Sequence, residues 1–116
     1  MINYEEFSKV ELRVVEILAA ERVEGSDKLL KLEVSLGDPK TPTGSDKEKR
    51  QIIAGIGKAY APENIVGFKI VIIANLEPRQ LMGLESQGMI LAAKDSNGRP
   101  ILLRPEQDVP AGANIS

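Results

Sequence analysis

From Val10 to Val14 apolar and charged residues alternate, with Val10, Leu12 and Val14 on one side and Glu11 and Arg13 on the other. That period of two is the signature of a strand with one buried face. The phase slips at Val14 and Val15 and resumes through Ile17 and Ala19 on the opposite parity, which predicts a bulge there in a long, bent strand. Ahead of it, Tyr4 to Ser8 predicts one helical turn with Phe7 tucked inward. Behind it, Glu24-Gly25-Ser26-Asp27-Lys28 has the composition of a turn, and a second strand follows with Leu30, Leu32, Val34 and Leu36 inward and Lys31, Glu33 and Ser35 outward.

Gly37 to Lys49 is too polar to pack and reads as a surface connection. Arg50 to Ile56 is a third strand, in which Gly55 and the following Gly57 allow a bend or a close backbone approach. Pro62 suits the first position of a brief helix, Glu63 its positive end, and Gly67 a left-handed terminus. Phe68 to Ala74 is an apolar run interrupted only by Lys69, predicting a strand covered on both faces. Asn75 to Gly83 reads as a loop, Ser86 to Ala93 as the fifth strand, and Asp95-Ser96-Asn97-Gly98 as a turn into a short strand at Ile101 to Leu103. Pro105 and Pro110 predict an irregular end. The expected fold is all-β: a five-stranded OB-fold barrel with a short helix between strands three and four. We read 1–116 as one domain, with a barrel over 1–94 and a C-terminal extension carrying an extra strand over 95–116.

Charge refines this picture. The net charge of −2 argues against a general polyanion binder, yet its distribution is uneven. Residues 1–24 hold six acids against three bases, whereas residues 25–60 hold seven bases against five acids, so a local basic face is compatible with an acidic chain. The aromatics are only Tyr4, Phe7, Tyr60 and Phe68, which leaves little for base-stacking platforms. No apolar run approaches the roughly 20 residues of a membrane helix, and the N-terminus lacks the apolar core of a signal peptide. No membrane association is expected, and the reading is a cytoplasmic protein.

The chain has neither histidine nor cysteine, which removes the groups that most often carry nucleophilic, proton-shuttling and transition-metal chemistry. Neither G-x-x-x-x-G-K nor G-x-G-x-x-G occurs, and the acidic pairs Glu5/Glu6 and Glu77/Glu85 have no accompanying base. We expect no catalytic residue, no metal and no cofactor. What remains is a binding lip. Ser86, Gln87 and Met89 stand where a polar, glycine-containing segment enters an apolar strand, and are either a rim that contacts a ligand or simply a place where a strand begins, with Met89 as core filler. Lys31, Arg50 and Arg79 are either solvated charges or a phosphate-binding groove, Asn75 is either a turn-former or a contact, and Arg13 is free to pair with Glu11 or Glu33.

The segments Val10 to Val14 (VELRV), Gly25 to Gly37 (GSDKLLKLEVSLG), Arg50 to Tyr60 (RQIIAGIGKAY) and Val66 to Ala93 (VGFKIVIIANLEPRQLMGLESQGMILAA) together resemble one family. It is the tRNA-binding OB-fold domain found at the C-terminus of methionyl-tRNA synthetases and as free-standing tRNA-binding proteins. The resemblance implies a homodimer that binds tRNA by shape near the outer corner of the L, delivering or retaining it on a synthetase whose catalytic domain is a possible partner, with no DNA expected. It implies Lys31, Arg50, Asn75, Arg79, Ser86, Gln87 and Met89 as tRNA-binding residues. It also implies pairing through the tail, with Leu102, Leu103, Pro105 and Val109 as interface residues. A second branch of the same barrel, which grips unfolded polypeptide, is the alternative. One departure from the family pattern is the lengthened connection from Asp38 to Lys49, holding Lys40, Lys47 and Lys49, which either reaches RNA or merely tolerates insertion.

Overall fold

The computed structural model describes residues 1–37 and 48–116, so the expectations for Lys40 and Lys47 lie outside the described residues. A helical turn α1 (Tyr4–Ser8) leads into β1 (Leu12–Arg22), β2 (Leu30–Gly37) and β3 (Glu48–Ala54). A 3₁₀ turn (Pro62–Asn64) precedes β4 (Lys69–Ile73), after which the strands are short: β5 (Arg79–Leu81), β6 (Leu84–Ser86), β7 (Met89–Ile90), β8 (Ala92–Lys94), β9 (Pro100–Leu102) and β10 (Asn114–Ile115). The main sheet runs β3-β2-β1-β4-β7, all antiparallel, with β10 added to β1. This order, with the turn between β3 and β4, is that of the OB-fold barrel.

The alternation in β2 places Leu30, Leu32, Val34 and Leu36 in the core at 2% exposure or less, against Val15, Ile17, Ile52, Ile70 and Ile72. Ile65, just past the 3₁₀ turn, joins the same cluster. Ser35, expected outward, is buried, and its hydroxyl accepts the Gly37 N–H at 3.0 Å.

Several expectations are corrected. There is no bulge at Val14 and Val15, because β1 pairs with β4 without interruption from Leu12 to Glu16. Both valines are buried: Val15 belongs to the barrel core, while the backbone of Val14 bonds to the C-terminal segment, its N–H donating to Ala113 O at 2.9 Å and its carbonyl accepting Gly112 N–H. The register shift falls instead between Ile17 and Ala19 in the pairing with β2, so that Ala20 packs on the core and Ala19 is exposed. Phe7 is 37% exposed and α1 buries none of its residues. In β4, Ile70 and Ile72 face the core but Lys69, Val71 and Ile73 are half-buried, so only one face is fully covered.

The predicted loop at Asn75 to Gly83 contains half of a hairpin, β5–β6, whose tip residues Met82 and Gly83 both have positive φ. The predicted fifth strand is divided by Gly88 (φ +139°) and shared among three sheets, its residues falling in β6, β7 and β8. Leu91 donates to Val71 O in β4, and its carbonyl accepts from Leu103, after which β8 pairs with β9 of the tail. The irregular end does form a strand: β10 takes the edge of β1 where β2 diverges, occupying backbone groups that would otherwise lie open. Arg13 secures it, donating to Gly112 O at 2.8 Å while paired to Glu11 at 2.7 Å.

Candidate nucleic-acid interface

The barrel closes between β3 and the Ser86-Gln87-Gly88 segment, and it closes largely through side chains. Along an antiparallel edge, alternate residues present their N–H groups to the same side. On β3 these belong to Gln51 and Ile53. The Ile53 N–H donates to Ser86 Oγ at 3.0 Å, and the Gln51 N–H donates to Gln87 Oε1 at 3.0 Å. The Gln87 N–H donates in turn to Gln51 O at 2.8 Å, and Gln51 Nε2 to Glu85 O at 2.9 Å. Ser86 Oγ also donates to Gly88 O at 3.0 Å. Two side-chain oxygens thus replace the backbone carbonyls of a missing strand. Gly88 is required where the chain then turns under the sheet, since a Cβ there would lie 3.0 Å from Ile73 O.

Two shallow concavities adjoin this closure, one lined in part by Gln51 and the other by Gln87. The first, of about 290 Å³, is lined by Ala19, Ala20, Glu21, Lys31, Leu32, Glu33 and Gln51. The second, of about 380 Å³, is lined by Glu48, Lys49, Arg50, Ala74, Leu76, Pro78 and Gln87. Arg50 and Gln87 therefore meet in one depression and Lys31 stands in the other. Arg79 is exposed on the β5–β6 hairpin opposite Ser86 in register, and Met89, 40% exposed, pairs with Ile73 at the end of β7.

Two expected contacts are occupied within the protein. Ser86 is 3% exposed, with its hydroxyl both donating and accepting within the protein. Asn75 accepts the Glu11 N–H at 2.8 Å and donates to Lys9 O at 2.6 Å, tying the end of β4 to the start of β1. Gln87 is half-buried, and its Oε1 already accepts from Gln51. The cations are also engaged. Lys31 pairs with Glu21 at 2.6 Å, Lys49 with Glu33 at 3.6 Å, and Arg50 with Glu48 at 3.6 Å while donating to Ala74 O. The Lys31 and Lys49 pairs are solvent-exposed, and such pairs are worth about 0–1 kcal/mol, whereas the Arg50 side chain is 23% exposed and also bonded to backbone.

Sequence reasoning missed Gln51, which lines the first concavity, and the apolar Leu76, 41% exposed in the second. The outward parity of Gln51 in β3 was the available signal. Among the described residues no cluster of histidine, cysteine, aspartate or glutamate is arranged to hold a metal ion. The face offers amides, cations and small apolar surfaces, which suit the contour and phosphates of a folded polyanion.

Comparison with known proteins decides the family: the Putative tRNA binding domain matches residues 12–114. The chain belongs to this tRNA-binding domain family. A methionine–tRNA ligase of Caldanaerobacter subterraneus subsp. tengcongensis is 52% identical over 115 residues, covering 99% of this chain but 16% of the ligase. The crystal structure of a MetRS-related protein from Pyrococcus horikoshii superposes with a TM-score of 0.87 at 32% identity, covering 100% of this chain and 98% of that one. The chaperone CsaA from Bacillus anthracis gives 0.83 at 30% identity, covering 100% and 99%. The tRNA-binding domain is thus the size of these two structures and a small part of the ligase. No helix of the described residues is long and apolar enough to cross a membrane.

Proposed function

We propose that this domain binds folded tRNA without catalysis, through the face formed by Lys31, Lys49, Arg50, Gln51, Arg79 and Met89, and so retains tRNA on a methionyl-tRNA synthetase in the cytoplasm. Ser86, Gln87 and Asn75 serve the same site indirectly by fixing the rim. The observation that carries the reading is the 52% identity to a stretch of a methionine–tRNA ligase, together with an OB-fold surface bearing Lys31 and Lys49 in exposed pairs. A domain of modest affinity raises the effective concentration of tRNA near a linked enzyme and so increases its residence there.

Pairing into a homodimer belongs to the same proposal, with one amendment to the interface. Leu102 is 6% exposed and packs in the barrel's own core, its N–H donating to the Tyr60 hydroxyl, so it is unavailable to a partner. Ile101 and Leu103, each 42% exposed on either side of it, take its place beside the half-buried Pro105 and Val109.

The likeness to the CsaA chaperone favours a second reading, capture of unfolded polypeptide. Fluorescence anisotropy with intact tRNA, with tRNA whose corner is disrupted, and with an unfolded polypeptide separates the two. Tighter binding of intact tRNA is expected, and preference for the polypeptide overturns the proposal. Sedimentation of the same samples reports the dimer.

A further inference from the structure

A second group of cations stands apart from those paired on the rim, and two of its three members have no carboxylate partner among the described residues. There the β1–β2 turn, the segment after β3 and the tail turn converge on an open depression of about 380 Å³ bordered by Lys28, Lys58, Arg99 and Gly98. The convergence is built by backbone. Gly57 donates to Lys28 O at 2.7 Å, and a Cβ at Gly57 would lie 2.8 Å from that oxygen, so only glycine lets the turn approach so closely. The Lys28 stem lies over Gly55, with Cε 3.1 Å from where a Cβ would be.

Arg99 is held from two sides. Its Nη2 donates to Ala59 O at 2.9 Å, and its N–H donates to Asp95 Oδ1, which also accepts from Asn97. The Asp95 carboxylate is therefore committed to its own turn. Asp27 is the one carboxylate paired here among the described residues, 3.8 Å from Lys58 with both side chains mostly exposed, and neither Lys28 nor Arg99 has an ion-pair partner among the described residues. Lys28 precedes Lys31 by three residues, which bounds their Cα separation at about 10 Å.

We infer that Lys28, Lys58 and Arg99 form a second phosphate-binding site, which extends the RNA-binding face onto the C-terminal extension and takes the sugar-phosphate backbone of the same RNA. This rests on the tRNA-binding reading above. The tail then has a role in the site itself: its Asp95–Arg99 turn delivers one of the three cations.

The test is the salt dependence of tRNA affinity for the full chain and for Lys58→Ala, Arg99→Ala and Arg99→Lys. Each lost phosphate contact lowers the slope of log K against log salt by about 0.7–0.9, equivalent to roughly four- to fivefold weaker binding at 0.15 M salt. Lys58→Ala and Arg99→Ala are each expected to show that loss, and Arg99→Lys to keep the slope. Lys58 makes only an exposed ion pair, so its variant keeps the fold even if loss of the Arg99 bond to Ala59 loosens the tail. If the parent binds tRNA and Lys58→Ala retains both slope and affinity, the second site is refuted and the rim stands. If Arg99→Ala and Arg99→Lys weaken binding equally with unchanged slope, Arg99 is a structural strut and the site is refuted. If the parent itself ignores tRNA, the functional reading fails and takes this inference with it.

Discussion

Replacing Ser86 by alanine removes the hydroxyl that terminates the β3 edge, and the cost follows from what it leaves behind. Ile53 is 6% exposed, so its N–H, now donating to Ser86 Oγ at 3.0 Å, has no access to water once the acceptor is gone. An unsatisfied buried donor costs about 1–3 kcal/mol. The lost donation to Gly88 O adds less, because Gly88 is only half-buried and water substitutes there. The variant should therefore be destabilised by about 2–3 kcal/mol. With a urea m-value of about 1–3 kcal/mol/M, the midpoint should fall by roughly 0.7–3 M, measured at one fixed protein concentration. Gln87→Ala should cost only about 1 kcal/mol, since Gln51 is half-buried and its freed N–H can be hydrated. Under conditions where both proteins are folded, Ser86→Ala should bind tRNA as the parent does. A loss of stability below about 0.5 kcal/mol, or loss of tRNA binding from an equally stable protein, refutes the latch and restores Ser86 as a contact.

Two further outcomes are expected. Met89→Ala, which trims a side chain already 40% exposed, should leave the urea midpoint unmoved and weaken tRNA binding by about 1 kcal/mol, roughly fivefold, with unchanged affinity removing Met89 from the site. Gly88→Ala should destabilise by at least about 1–3 kcal/mol, because φ is +139° and the new Cβ would sit 3.0 Å from Ile73 O, and a midpoint within error of the parent would refute that close approach.

Elements with one buried face were readable from sequence. In β2 the period-two pattern and the period-two geometry coincide, and the four predicted inward residues are the four in the core. The pattern failed where neither side of a strand is open to water. Val14 and Val15 look like a slip only if one side of β1 is exposed, but both are buried where the C-terminal segment adds to its edge. β10 went unseen for the same reason: its strand character comes from the edge it completes and is not visible in its own polar residues. The β5–β6 hairpin was hidden by its tip, where Met82 at φ +52° occupies a position in which asparagine or glycine is the usual signal.

The Ser86-Gln87-Gly88 segment is a more instructive case. A serine, a glutamine and a glycine before an apolar strand have the composition of a ligand-binding lip, and nothing in that segment distinguishes a lip from a latch. What distinguishes them is the state of two N–H groups more than thirty residues earlier, on Gln51 and Ile53, which face the gap where β3 and β7 do not pair directly. Once those donors are seen to need acceptors, Ser86 and Gln87 are accounted for by the barrel, and the binding role we propose falls to their neighbours. Arg79 lies opposite Ser86 in the hairpin, Met89 follows Gly88 out to the surface, and Gln51 and Arg50 each line one of the two concavities beside the latch. On this proposal the polar motif and the RNA-facing groups depend on each other without coinciding. A substitution in the motif that impairs binding must first be shown to leave the barrel closed before it is counted as a lost contact.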